Sequence, residues 1–139
     1  MGIDIVRRLA HKPSSVADAR AALSQLEPVV DPHTFETLRL LVTELVTATV
    51  RHGTPSATHD IELWVSASRE RIRVEVADRG RRAHTSAEGP GLSELGLHLV
   101  ETLSDRCGTE ARGCDGLWLE LVDSGAFTRE STESAAAVS

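Results

Sequence analysis

The fold class this sequence predicts is an α/β two-layer sandwich, a mostly antiparallel sheet covered on one face by helices. Three observations predict it. Segments 60–68, 71–78 and 116–122 alternate apolar and polar residues with the period of a half-buried strand. Segments 13–26, 30–53 and 95–108 repeat apolar residues at helical spacing. The link between the first two alternating segments, "SRE", is short enough for an antiparallel hairpin.

Taken in order, "IDIVRRL" (3–9) reads as a short strand. "PSSVADARAALSQL" opens a helix in which Ser14 or Ser15 is the candidate cap and Asp18 the capping-box acid. Its apolar face is Val16, Ala19, Leu23 and Leu26. The next helix has Asp31 as cap and Pro32 at its first position, where the missing N–H costs nothing. Phe35, Leu38, Leu41, Val42, Leu45 and Val46 form its stripe, and Gly53 stops it. "TPSATH" is a turn. Ile61, Leu63, Val65 and then Ile72, Val74, Val76 are the inward rows of the hairpin. Residues 79–94, rich in glycine, form a loop too long for so small a domain unless it serves a site. Leu95, Leu99, Val100 and Leu103 face inward on the third helix, and Leu117, Leu119 and Leu121 on the last strand. The expected division is one domain over 1–123 and a disordered tail over 124–139, which is small, polar and patternless.

The totals exclude several function classes. A chain of 139 residues has no room for a second core of normal size. The net charge of -6 argues against nucleic acid or an anionic membrane as partner. "MGIDIVRRLA" lacks the apolar core of a signal peptide, and no run approaches a bilayer span, so a cytoplasmic protein is expected. Cys107 and Cys114 are spaced too widely for C-x-x-C and read as reduced thiols. The six histidines, His11, His33, His52, His59, His84 and His98, show no ligand spacing, and no metal site is expected.

Three segments carry candidate chemistry. Glu44 places a carboxylate in the apolar run "LLVTELVTATVRHG", one turn before Ala48. Asp78 and Gly80 end a strand, where an acid can accept from an adenine amino group and glycine permits close approach. "GLSELGL" leads into the third helix, whose N-terminal N–H groups can meet phosphate. Each also has a plainer reading: Glu44 as a solvated residue, Asp78 and Gly80 as a turn, "EGPG" (88–91) as another.

Together and in this order, over residues 3–122, they resemble the histidine-kinase-like ATPase superfamily. The nearest likeness is its small actinobacterial branch of anti-sigma-factor serine-protein kinases. "PSSVADAR" is similar to that branch's opening helix, "LLVTELVTATVRHG" to its asparagine box, "VEVADRG" and "LGLHLVETLSDRCG" to its two glycine boxes, and "GLWLEL" to its closing strand. The resemblance implies that Glu44 is the general base or water-orienting acid, and that Asp78, Gly80 and Gly96 contact the nucleotide.

Three positions depart from the pattern. The magnesium-binding asparagine falls on Ala48, the second glycine of the first box on Arg82, and the first glycine of the second box on Glu94. Mg²⁺ needs oxygen ligands that alanine lacks. A carboxylate about 5 Å from a phosphate charge costs roughly 3 kcal/mol at an effective dielectric near 20, on the order of a hundredfold in affinity. Arg79, Arg81 and Arg82 can partly offset that charge but cannot replace the metal ligand. The expectation is therefore a degenerate site: a regulatory protein that binds a sigma factor or an anti-sigma-factor antagonist, with ATP or ADP binding weakened or absent and Mg²⁺ not firmly held. Homodimerisation is implied by the resemblance. The alternative is an active ATP-dependent serine/threonine-protein kinase in which water replaces the asparagine; a third reading is a detached subunit that stabilises an active homologue.

Overall fold

The computed structural model describes residues 2–52, 56–82 and 92–122. Strand β1 (Ile3–His11) leads into helix α1 (Ser14–Ala22), a 3₁₀ turn (Leu23–Leu26) and the long helix α2 (Pro32–His52). Strands β2 (Ser56–Ala67) and β3 (Arg71–Arg82), helix α3 (Glu94–Leu103), and strands β4 (Arg106–Ala111) and β5 (Cys114–Val122) complete it. The strands form one antiparallel sheet in the order β1-β2-β3-β5-β4. This is the predicted sheet-and-helix sandwich.

Period-two alternation sorts each strand between the faces. Ile5 and Leu9, then Ile61, Leu63 and Val65, then Ile72, Val74 and Val76, and finally Leu119 are all at most 3% exposed. They meet α2, whose Leu38, Leu41, Val42, Leu45 and Val46 are fully buried. The Asp31 carboxylate caps α2 by accepting from His33 N–H at 3.0 Å, and Pro32 takes the first helical position, as expected. Gly53, the expected helix stop, and the 124–139 tail lie outside the described residues.

Several local expectations are corrected. Neither Ser14 nor Ser15 caps α1: the N-cap is Pro13, with no side-chain hydrogen bond. The buried Ser15 hydroxyl instead donates to Ala10 O at 2.6 Å, tying the start of the helix to the end of β1. The last turn of that helix tightens to 3₁₀ geometry. Residues 56–59, expected as a turn, belong to β2, and 79–82, expected as loop, extend β3. The third helix does not run to 108. It ends at Leu103, with Ser104 already extended, and Arg106–Ala111 forms an edge strand that periodicity did not reveal.

That edge strand has a steric reason to hold Gly108. A Cβ there would lie 2.5 Å from Trp118 Nε1, so the indole lies directly across the glycine. The β4–β5 hairpin turns through Arg112 and Gly113 with φ of 54° and 77°, both positive as a type I′ turn requires. Arginine is an uncommon choice at positive φ. Its side chain offsets the strain: the guanidinium stacks 3.6 Å from the Trp64 ring centroid, and Nε donates to Glu75 at 2.9 Å.

The opposite sheet face is a lattice of arginines, acids and indoles. Arg73 stacks 4.3 Å over Trp118 and donates to Glu120 at 2.8 Å, while Arg71 and Arg106 flank the same carboxylate. Glu62, only 6% exposed, accepts from Arg79 Nε at 2.7 Å and pairs with Arg8 at 3.4 Å. Burial pushes the Glu62 carboxyl up, but the hydrogen bond and charge of Arg79, with Arg8, outweigh it and hold it below its ordinary value of 4.5. Among the described residues no helix is long and apolar enough to cross a membrane.

Two outcomes are expected. Gly108→Ala displaces the indole and costs about 1–3 kcal/mol in urea unfolding, with a change in tryptophan emission. Because the folded pKa of Glu62 is depressed, its contribution is present above its unfolded pKa and lost as pH falls through the folded one. Glu62→Gln should therefore destabilise at pH 7, and the gap to wild type should close in acid; a gap independent of pH would contradict the Arg79 pairing.

Candidate functional site

Asp78 continues the inward row of β3 and is 3% exposed. Its Oδ2 accepts from His11 Nε2 at 2.9 Å, with side-chain exposures of 6% for the histidine and 4% for the acid. His11 reaches it because β1 breaks register between Leu9 and His11: Leu9, Ala10 and His11 are consecutively buried, which simple alternation forbids. The other ring nitrogen, Nδ1, is buried with no hydrogen-bond partner among the described residues.

A second cluster lies where α2 meets α3. Glu44 is half-buried and Ala48 is 4% exposed, one turn apart on one helix face. A Cβ at Gly96 would lie 3.1 Å from Glu44 Oε2, 3.2 Å from Leu92 Cδ2 and 3.2 Å from Ser93 Oγ. The Glu44 carboxylate thus approaches the first turn of α3, where helix N–H groups favour negative charge. Ser93 caps that helix, its Oγ accepting from Gly96 N–H at 3.0 Å. Glu94 is exposed in the same turn, a second acid at the positive helix end.

Gly80 and Arg82 lie at the end of β3, where Arg82 pairs with Cys114 beyond a register shift. Arg79, expected to help offset phosphate charge, is on the outer sheet face and is held by Glu62. Residues 83–91, which include "EGPG", lie outside the described residues. Two clusters therefore emerge, His11 with Asp78 and Glu44 with Ala48 and Gly96, and α2 packs against both β3 and α3 between them. Among the described residues no cluster of His, Cys, Asp and Glu could hold a metal ion. A cavity of about 320 Å³ between α1 and the start of α2, lined by Arg20, Glu27, Phe35 and Arg39, shares no residue with either cluster.

His11 is the residue that sequence reasoning missed. It stands 67 positions from Asp78 and carries no ligand spacing, so only the register break in β1 could have pointed inward. The inward placement expected for Leu95 and Leu103 is also corrected. Leu95 is 68% and Leu103 37% exposed, because α3 rests on α2 through Gly96 and Val100, its only fully buried residues. Leu97 is 45% exposed as well, whereas Leu99 is half-buried.

The family model that matches this chain is that of the histidine kinase-like ATPase domain, over residues 9–122. No curated protein matches it.

The contact at Gly96 makes a testable prediction. Gly96→Val should cost about 1–3 kcal/mol, and in a double-mutant cycle with Glu44→Ala part of that cost should disappear, since one of the three crowding atoms is then gone. Strict additivity in chemical denaturation would place Glu44 away from α3.

Proposed function

The chain belongs to the histidine kinase-like ATPase domain family, and from that premise we propose that it is a regulatory binding protein whose nucleotide site has decayed. Its partner, on this reading, is a sigma factor or an anti-sigma-factor antagonist, as in the anti-sigma-factor kinases that its motifs resemble. The observation that carries the reading is Ala48. It is 4% exposed, one turn from Glu44, and presents a methyl group where the family places a metal-binding asparagine. A buried methyl cannot ligate Mg²⁺, and the triphosphate loses its counter-charge with it.

The phosphate side points the same way. The α3 N-terminus, the natural anion site of the fold, has its Gly96 N–H already engaged by Ser93 and carries Glu94 in the same turn. Two acids near one helix end oppose a third negative group. A partner surface is consistent with the exposed leucines of α3, since large apolar side chains left in water mark interaction sites.

The kinase reading keeps one supporting observation: Glu44 retains its carboxylate beside the first turn of α3. Calorimetric titration of ATP and ADP, with and without Mg²⁺, separates the two. Weak, magnesium-independent binding is expected. Tight magnesium-dependent ATP binding, or phosphate transfer to a purified antagonist that Glu44→Ala abolishes, would establish the kinase instead. The combined Ala48→Asn, Arg82→Gly and Glu94→Gly variant should bind ATP at least tenfold more tightly, restoring what the sequence lacks. Binding assays against purified sigma factors and antagonists, with Leu95→Asp as the weakened variant, test the partner.

A further inference from the structure

The contact between His11 and Asp78 is separate from the cluster of Glu44, Ala48 and Gly96 and has its own consequence. Asp78 Oδ2 is 2.9 Å from His11 Nε2, and both side chains are more than nine-tenths buried. An adenine amino group that is to take over this position on the oxygen must displace the imidazole from it. His11 would then have both ring nitrogens unpaired, since Nδ1 has no hydrogen-bond partner among the described residues and Nε2 would lose the one it has. A buried donor stripped of its partner is costly, so the displacement opposes the ligand directly.

The backbone makes the contact persistent. His11 closes β1 at a register break, pairs with Ser56 beyond it, and is followed by a turn in which Lys12 N–H donates to Ala10 O at 2.9 Å. Ser15 holds the same Ala10 carbonyl from α1. The backbone that carries the ring is therefore tied at both ends, and the ring itself is buried rather than free in solvent.

We infer that His11 determines the specificity of this site by occupying the base-recognising acid from within, so that the chain discriminates against adenine even before any phosphate or metal contact is made. This rests on the reading of Asp78 as the family's adenine-binding acid. It is independent of the changes at Ala48, Arg82 and Glu94, which act on the phosphates.

Adenosine, which has a base but no phosphate, isolates the effect. Titrated by NMR chemical-shift mapping, adenosine should bind His11→Ala about tenfold to a hundredfold more tightly than wild type. His11→Gln, whose amide can still donate to Asp78, should show no such gain. Adding Asp78→Asn to His11→Ala should remove the gain, and guanosine should not show it. Should His11→Ala fail to fold by circular dichroism, His11→Ser takes its place with the same expected outcomes. Equal adenosine affinity in wild type and the folded small-residue variant overturns the inference, as does an equal gain for guanosine or indifference to Asp78→Asn. Tight Mg·ATP binding by wild type would instead sink the decayed-site reading, so the two failures are distinct.

Discussion

The structure depends on the burial of α2 against one face of a five-stranded sheet. Leu38, Leu41, Val42, Leu45 and Val46 are all fully buried, so the rotation of the helix about its axis is set by the core. Everything else on α2 follows from that phase. Glu44 falls at the margin of the stripe, half-buried, and Ala48 one turn later is sealed in beside it. Turning the helix to present a different residue would take several leucine and valine side chains out of the core, at about 1.5–3 kcal/mol each.

Alternation along the strands gives the two sheet faces opposite chemistry. The inner rows are aliphatic until Asp78, where β3 carries an acid on into the row that packs against the helices. The outer rows pair arginines with carboxylates across neighbouring strands: Arg73 with Glu120, Arg79 with Glu62, Arg8 with Glu62. Glu62 and Glu120 can be nearly buried on a solvent-side face because guanidinium groups cover and pair with them. This arrangement redirects Arg79. An arginine that by position in the chain belongs to the glycine-box segment by strand parity belongs to the outer lattice.

The two candidate clusters share a physical logic. A buried or partly buried polar group needs a partner, and where no ligand supplies one the chain does. Asp78 has His11, Gly96 N–H has Ser93, and the first turn of α3 has Glu44 close by. Groups that the family resemblance assigns to base and phosphate are thus engaged by neighbouring side chains. On the proposed reading, this is how the fold and the helices survive the loss of nucleotide contacts with these groups still engaged.

The sequence by itself determined the architecture, because period-two and helical repeats state which residues must leave water. The stripe of α2, the β2–β3 hairpin, the Asp31 cap and the family resemblance were all legible from local pattern and motif order. The residue types at Ala48, Arg82 and Glu94, on which the proposed reading turns, were legible too, since a missing oxygen or an added Cβ is a property of residue type. Only the tertiary structure decided the rest. Strand β4 was hidden because "RCGTEA" has no alternation of its own and exists by pairing with β5 and sheltering Gly108 under Trp118. Leu95 and Leu103 read as core by spacing and are exposed, because the face a short helix buries depends on what it rests against. His11 had no local signal at all: a register break in one strand and an acid 67 residues away bring it to the site, and only the folded sheet puts the two ends of those strands together.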